Sequence, residues 1–230
     1  MTPPTPPLTP ATPAGDSPTP VASSDTNGPA PDPVAQQSTQ SLLDISLSGT
    51  NVVFVLDRSA SMTSDDKTLA ARLELLKALH NLTTNQNFYI VASPDREMPA
   101  PTFMPATQTN IDAITNWVFS TGNVTNGIGS NAPAQYELKQ AMQKAFKVKP
   151  DTVCLLSDGQ FSTNDLEVIN RSNDLVHASM NTVNFFSRQG EAILKQLAED
   201  NNGIYRFVPP PGTNTIPGEP TAVKPAVTTP

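Results

Sequence analysis

The sequence predicts an α/β fold with an open, mostly parallel sheet and helices on both faces. Short apolar runs alternate along the middle of the chain with longer segments of helical periodicity. Residues 52–56 are apolar without polar alternation, as expected of a strand buried on both faces, and residues 152–156 form a second run that is apolar after its first threonine. Polar residues rich in Asp, Ser and Gly follow both runs, at the strand ends where such sheets bind ligands.

Proline marks the limits of the domain. Of 24 prolines, 11 lie in residues 1–40 and 7 lie in residues 209–230. We therefore expect residues 1–40 to be a disordered, polyproline-like linker rich in Pro and Thr, and residues 209–230 to be a disordered Pro-rich tail. Residues 41–208 are enough for one domain with a real core.

The first half of the domain begins with the strand at 52–56 and a helix at 65–82. In this helix, leucines recur at helical spacing: Leu69, Leu73, Leu76 and Leu79. A second strand is predicted at 87–93. Residues 93–105 contain four prolines, which predicts a loop with at most a short edge strand near Phe103. A helix follows at 110–119.

The second half begins with a loop at 120–133, rich in Gly, Asn, Ser and Thr, that leads into a helix at about 134–146. Strands are then predicted at 152–156, 182–187 and 204–208, and helices at 165–178 and 189–201.

The first strand ends in a group of oxygen-bearing side chains, Asp57, Ser59 and Ser61. One carboxylate and two hydroxyls make a weakly charged set of oxygen ligands, which suits Mg²⁺ because this ion keeps waters and accepts few protein carboxylates. A second aspartate, Asp158, follows the strand at 152–156. The alternative is that Asp57 caps the next helix and that the serines make local turn hydrogen bonds.

Composition limits the function classes. The formal net charge is -7 and no Lys/Arg cluster occurs, so nucleic-acid binding is not expected. Cys154, the single cysteine, lies in an apolar run and is predicted to be buried without a disulfide partner. No apolar stretch approaches about 18 residues and no basic start precedes an apolar run, so we expect neither a membrane span nor a secretory signal in this chain. The compartment stays open, with a cell-envelope-associated system as one option, since Pro/Thr stalks often join a domain to another structure.

With these motifs, the chain resembles the von Willebrand factor type A domain of the bacterial type. That family carries a metal ion-dependent adhesion site (MIDAS). It is made by a DxSxS motif after the first strand, a Thr in a later loop and an Asp after a later strand. DRSAS supplies Asp57, Ser59 and Ser61, and LLSDGQF supplies Asp158. The similarity covers residues 51–209, and VNFFSRQGEAILKQLAEDNNGIYRFV is similar to the family's closing strand, helix and strand.

The departure from the family lies in the later loop. Bacterial members commonly have Gly-Gly-Thr before the helix, where this chain has Gly-Ile-Gly-Ser-Asn at 127–131. Ser130 is the better match, because it follows a glycine just before the helix, and Thr125 is the competitor. DRSAS also has Ala60 where members often carry glycine.

The resemblance implies a Rossmann-like fold and a non-enzymatic adhesion or assembly module. A Mg²⁺ or Mn²⁺ ion would be held by Asp57, Ser59, Ser61, Ser130 and Asp158, and a partner's Asp or Glu would complete its coordination. One alternative is a structural spacer with a vestigial metal site. Another is a magnesium-dependent hydrolase with Asp57 as nucleophile, although such enzymes generally need a second acid two residues later, where this chain has Ser59.

Overall fold

The computed structural model describes residue 45 and residues 47–92, 96–120 and 134–213. The predicted linker at 1–40, most of the predicted tail, and the loop that carries Thr125 and Ser130 lie outside the described residues. Within these, the strands are β1 (Asn51–Leu56), β2 (Asn87–Ala92), β3 (Arg96–Glu97), β4 (Met104–Pro105), β5 (Thr152–Ser157), β6 (Ser179–Phe185) and β7 (Tyr205–Val208). The helices are α1 (Lys67–Asn81), α2 (Gln108–Phe119), α3 (Ala134–Lys147), α4 (Thr163–Asn173) and α5 (Glu191–Asp200).

The strands form one sheet in the order β3-β2-β1-β5-β6-β7. The five longer strands are parallel to one another, whereas β3 and β4 are short and both pair antiparallel with β2. The predicted mostly parallel α/β sheet is confirmed. The edge strand expected near Phe103 is present as β4, and β3 was not expected.

The first strand, β1, lies inside the sheet. Val53 pairs with Tyr89 of β2 on one side and with Val153 of β5 on the other. The apolar residues of β1, from Val52 to Leu56, are at most 2 % exposed. Full burial of one such side chain contributes about 1.5–3 kcal/mol, which explains why this strand carries no polar alternation.

The helices form two packed groups, α1 with α2, and α3 with α4 and α5. The crossover from β1 to β2 moves across the sheet in one direction, and those from β5 to β6 and from β6 to β7 move in the other. Because such crossovers are right-handed, α1 lies on the opposite face from α4 and α5. The strand order thus reverses between β1 and β5, and this switch point leaves a crevice at their carboxyl ends.

Two of the four leucines that recur at helical spacing in α1 do not face the core. Leu69 and Leu73 are 45 % and 47 % exposed. The buried stripe has helical spacing, but half of it is alanine: Ala71, Leu75, Ala78 and Leu79. The helix also begins at Lys67 and not at residue 65, because Asp65 and Asp66 adopt left-handed backbone angles with φ of 56° and 59°.

The predicted helix at 165–178 ends earlier, at Asn173. The Asn173 side-chain amide donates to the Ala178 carbonyl at 2.8 Å, and its oxygen accepts from the Ala178 N–H at 3.0 Å. His177, between them, has a left-handed φ of 61°. This turn replaces the last predicted helical residues and lets β6 begin at Ser179.

No helix in the described ranges has both the length and the apolar composition needed to cross a membrane.

Candidate metal centre

Asp57 lies at the switch point, directly after β1. Its backbone N–H donates to the Leu156 carbonyl at 2.9 Å, which continues the ladder with β5 one residue beyond the strand. The residue is only 6 % exposed. The backbone pairing therefore fixes this carboxylate at the crevice beside the end of β5.

The Asp57 carboxylate is held by two donors. Ser59 N–H donates to Oδ1 at 2.8 Å, and the Ser157 hydroxyl donates to Oδ2 at 2.6 Å. Burial raises the pKa of Asp57 above its ordinary value, the bonds from Ser157 and Ser59 lower it, and the charge of Asp158 raises it further. The pKa is raised because burial makes the charged form of this carboxylate costly and the two donors offset only part of that cost.

A short run of oxygens connects the two strand ends. Ser59 Oγ lies 3.0 Å from Ser61 Oγ, and the Ser61 hydroxyl donates to Asp158 Oδ1 at 2.9 Å. Two neighbouring ligands of an octahedral Mg²⁺ with bonds of about 2.0–2.1 Å are about 3 Å apart. The spacing of these oxygens therefore fits a small, hard cation.

A 3₁₀ turn at Ala60–Thr63 carries Ser61. The Met62 N–H donates to the Ser59 carbonyl at 3.0 Å, and the Thr63 hydroxyl donates to the Ala60 carbonyl at 2.7 Å. The Met62 side chain is fully buried. The turn is thus anchored in the core, and its serine lies beside Ser59 and Asp158.

Asp158 is fully buried and both of its carboxylate oxygens are bound. Oδ1 accepts from Ser61, whereas Oδ2 accepts from the Lys67 ammonium at 2.9 Å and from the Gln160 amide at 3.3 Å. Lys67 also donates to the Ser61 carbonyl at 3.1 Å. The site therefore contains a positively charged group as well as its two carboxylates.

The loop after Asp158 is held by a close approach of two glycines. Gly159 has a left-handed φ of +74°, and a Cβ placed on it would stand 2.6 Å from the Gly190 Cα. A Cβ on Gly190 would stand 2.3 Å from the Asp158 carbonyl oxygen. A pocket of about 320 Å³ adjoins this contact, lined by Gly159, Gln160, Phe161, Ser162, Gln189 and Gly190.

Four of the five predicted ligands meet in one place. Asp57, Ser59, Ser61 and Asp158 are joined by the hydrogen bonds described above, directly or through Ser157 and Lys67. The fifth, Ser130, lies outside the described residues, as does its competitor Thr125. No cluster of three or more His, Cys, Asp or Glu side chains that could hold a metal ion occurs in the described ranges, and the candidate centre itself has two carboxylates and two serine hydroxyls.

The sequence profile of the von Willebrand factor type A domain matches residues 50–207. The chain belongs to this family. Among curated proteins, no sequence matches this von Willebrand factor type A (VWA) chain significantly.

Solved structures share the fold of this VWA domain at low sequence identity. A von Willebrand factor type A protein from Catenulispora acidiphila has a TM-score of 0.57 and 18 % identity over 70 % of this chain and 39 % of its own. An aerotolerance-related membrane protein from Bacteroides fragilis has a TM-score of 0.52 and 15 % identity over 70 % and 92 %. Proximal thread matrix protein 1 from the mussel byssus, described with a zinc-occupied MIDAS motif, has a TM-score of 0.50 and 14 % identity over 70 % and 41 %. This chain thus spans about two fifths of the Catenulispora and mussel chains.

Sequence reasoning missed two residues of the candidate metal centre, Lys67 and Ser157. Ser157 donates to Asp57 and accepts from the Gly159 N–H at 2.9 Å, so one hydroxyl connects the ends of β1 and β5. Its place before Asp158 at a strand end was a usable signal. Nothing in the sequence indicated Lys67, because its position depends on the left-handed backbone angles of Asp65 and Asp66, which precede α1.

Proposed function

We propose that this VWA domain binds a protein partner through a divalent ion, Mg²⁺ or Mn²⁺, and that an Asp or Glu of the partner completes the ion's coordination. The observation that carries the proposal is the run of oxygens from Ser59 through Ser61 to Asp158, with separations of 3.0 and 2.9 Å. Those separations match adjacent ligands of a small octahedral cation.

In this proposal Ser59 and Ser61 hold the ion directly, and Asp57 and Asp158 hold it directly or through water. Ser130 supplies the further hydroxyl from the later loop. The bound ion provides an open coordination position that accepts a carboxylate. The mussel protein's zinc-occupied motif supports a divalent ion in this fold, whereas oxygen-only ligands favour Mg²⁺ or Mn²⁺ over zinc.

The first experiment is thermal melting of the full chain in EDTA, in millimolar Mg²⁺ and in millimolar Mn²⁺, with zinc as an additional condition. A ligand specific for the folded state at a hundred times its dissociation constant adds about 2.7 kcal/mol of stability. We expect the ions to raise the melting temperature of the wild type and of the exposed-site control Asp112→Ala, but not of Asp57→Ala. Equal shifts in all three proteins would place ion binding elsewhere.

The loop ligand is tested by the pair Ser130→Ala and Thr125→Ala. We expect Ser130→Ala to weaken the Mg²⁺-dependent rise in melting temperature and Thr125→Ala to leave it unchanged. The reverse pattern would transfer the role to Thr125.

The partner's role is tested once an ion-dependent partner is found by affinity capture in Mg²⁺ against EDTA. Asp57→Ala should abolish the capture, and an Asp→Asn or Glu→Gln change at one contact residue of the partner should do the same. Capture that persists in EDTA would contradict an ion-mediated contact.

We propose a binding role rather than catalysis, since the position two residues after Asp57 is occupied by Ser59, whose hydroxyl lies against that of Ser61. A phosphoester substrate such as p-nitrophenyl phosphate tests the alternative in the presence of Mg²⁺. Turnover that disappears in Asp57→Asn would favour a hydrolase.

One observation favours the second candidate, a structural spacer with a vestigial ion site. The Lys67 ammonium already compensates the buried Asp158 carboxylate at 2.9 Å. If neither Mg²⁺ nor Mn²⁺ changes the melting temperature of the wild type, the spacer function is favoured.

A further inference from the structure

The buried carboxylate of Asp158 has its own cation within the chain. Lys67 Nζ lies 2.9 Å from Asp158 Oδ2, and the two side chains are 7 % and 0 % exposed. The same ammonium donates to the Ser61 carbonyl at 3.1 Å. Lys67 therefore contacts two of the residues assigned to the ion, one through its carboxylate and one through its backbone.

This contact differs in kind from the surface ion pairs of the domain. Lys195 pairs with Glu191 one turn away in α5, and Arg188, just before this helix, pairs with the same Glu191. The Lys195 and Arg188 side chains are 48 % and 53 % exposed. Such pairs contribute little to stability. A buried carboxylate that loses its cation destabilises the folded protein. Removing Lys67 should therefore lower the stability more than removing either of these surface cations.

We propose that Lys67 is a built-in counterion of the ion site, which keeps the domain folded without a divalent ion and lowers the site's affinity for that ion. This inference rests on the proposed function. With Asp57 and Asp158 ionised, Lys67 reduces the charge of the site from -2 to -1. An incoming divalent cation therefore meets a smaller net negative charge, because the lysine repels it while the carboxylates attract it, and this weakens its binding.

The test compares full-length wild type with Lys67→Met, which removes the charge but keeps an unbranched side chain. Lys67→Arg retains the charge, and Lys77→Met serves as a control for loss of a lysine from the same helix. Isothermal titration with Mn²⁺ gives the affinity, and melting in EDTA gives the stability of the ion-free domain. We expect Lys67→Met to bind Mn²⁺ about tenfold more tightly or better, and to melt at a lower temperature in EDTA. Lys67→Arg and Lys77→Met should stay near the wild type in affinity.

A double-mutant cycle keeps the inference testable if Lys67→Met folds poorly. In EDTA, Asp158→Asn should recover most of the melting temperature lost by Lys67→Met, because it removes the charge that the lysine compensates. Additive losses would overturn the counterion role. Mn²⁺ affinity of Lys67→Met equal to or weaker than that of the wild type would overturn the inference while leaving the proposed function intact. Absence of Mn²⁺ binding in every protein, wild type included, would overturn both.

Discussion

Gly159 and Gly190 pack backbone against backbone beside the candidate metal centre, with room for no Cβ between them. Gly159 follows Asp158, and Gly190 directly precedes α5. The start of this helix therefore supports the loop that carries the second carboxylate of the site. A change at either glycine should move Asp158 as well as reduce stability.

Gly159→Ala should lower the free energy of unfolding by roughly 2–3 kcal/mol, since the new Cβ meets backbone and the residue has a left-handed φ. It should also reduce the Mg²⁺-dependent rise in melting temperature. Gly212→Ala is a matched control, because Gly212 has a φ of +79° but nothing within 4 Å of a Cβ. Urea denaturation of both variants checks the prediction, and equal losses would show that the close contact does not matter.

Ser157→Ala removes the hydroxyl that connects Asp57 with the Gly159 N–H. Because both partners are buried, we expect a loss of about 1–3 kcal/mol in urea denaturation. The variant should also bind Mn²⁺ more weakly in a calorimetric titration, since Asp57 loses its orienting donor. Ser172→Ala, which removes a hydroxyl bonded to the carbonyl one turn earlier in α4, should change both measurements little. Unchanged Mn²⁺ affinity in Ser157→Ala would argue against an orienting role.

Asp57→Asn should change the pH dependence of the ion-free domain. Because burial raises the folded-state pKa of Asp57, the folded protein holds more protons than the unfolded chain between the unfolded and folded pKa values. This group therefore lowers wild-type stability as pH rises through that interval, and the loss is complete above the folded pKa.

Urea denaturation in EDTA at several pH values measures this effect. The stability of Asp57→Asn relative to the wild type should increase as pH rises above about 4 and then level off. Asp112→Asn, an exposed control on α2, should show no such trend. A difference between Asp57→Asn and the wild type that stays flat, or that decreases with pH, would contradict a raised pKa.

Asn173→Ala removes the side chain that closes α4. Asn173 bonds both backbone groups of Ala178 and donates to the Asn201 side chain at 2.6 Å, and it is 4 % exposed. Leaving these buried groups unpaired should cost about 2–3 kcal/mol in urea denaturation. Asn81→Ala, at the exposed end of α1, should cost less than about 0.5 kcal/mol. Similar losses at the two positions would mean that the Asn173 bonds contribute little.

The sequence predicted correctly those features that depend on the burial of a strand on both faces or on the position of a residue at the end of a strand. The apolar run of β1 identified a strand buried on both faces, and parallel strands bring their carboxyl ends to one edge, so Asp57 and Asp158 were expected at the same edge of the sheet. That β1 and β5 are neighbours, which brings the two aspartates together, is seen in the strand order of the structure, and the sequence implied it only through the resemblance to the VWA family.

Other features depended on packing that residue types alone do not reveal. Leu69 and Leu73 form a stripe as regular as the one that contains Ala71 and Leu75, and the smaller alanines are on the buried side. Counting large apolar residues therefore does not identify the buried side of α1, since Leu79 is buried whereas Leu69 and Leu73 are exposed. The Lys67–Asp158 contact was equally hidden, because two consecutive left-handed aspartates determine the direction in which the chain enters the helix.

The central place of β1 has a consequence for how the candidate centre moves. The backbone amides of a strand that is hydrogen-bonded on both sides exchange with solvent only when a large part of the domain unfolds. The amides of edge strands exchange through smaller, local unfolding. Asp57 extends this strand by one more bond, to the Leu156 carbonyl. Its amide should therefore be among the slowest to exchange deuterium, and the Asp57 end of the candidate centre behaves as a rigid anchor on the time scale of minutes to hours.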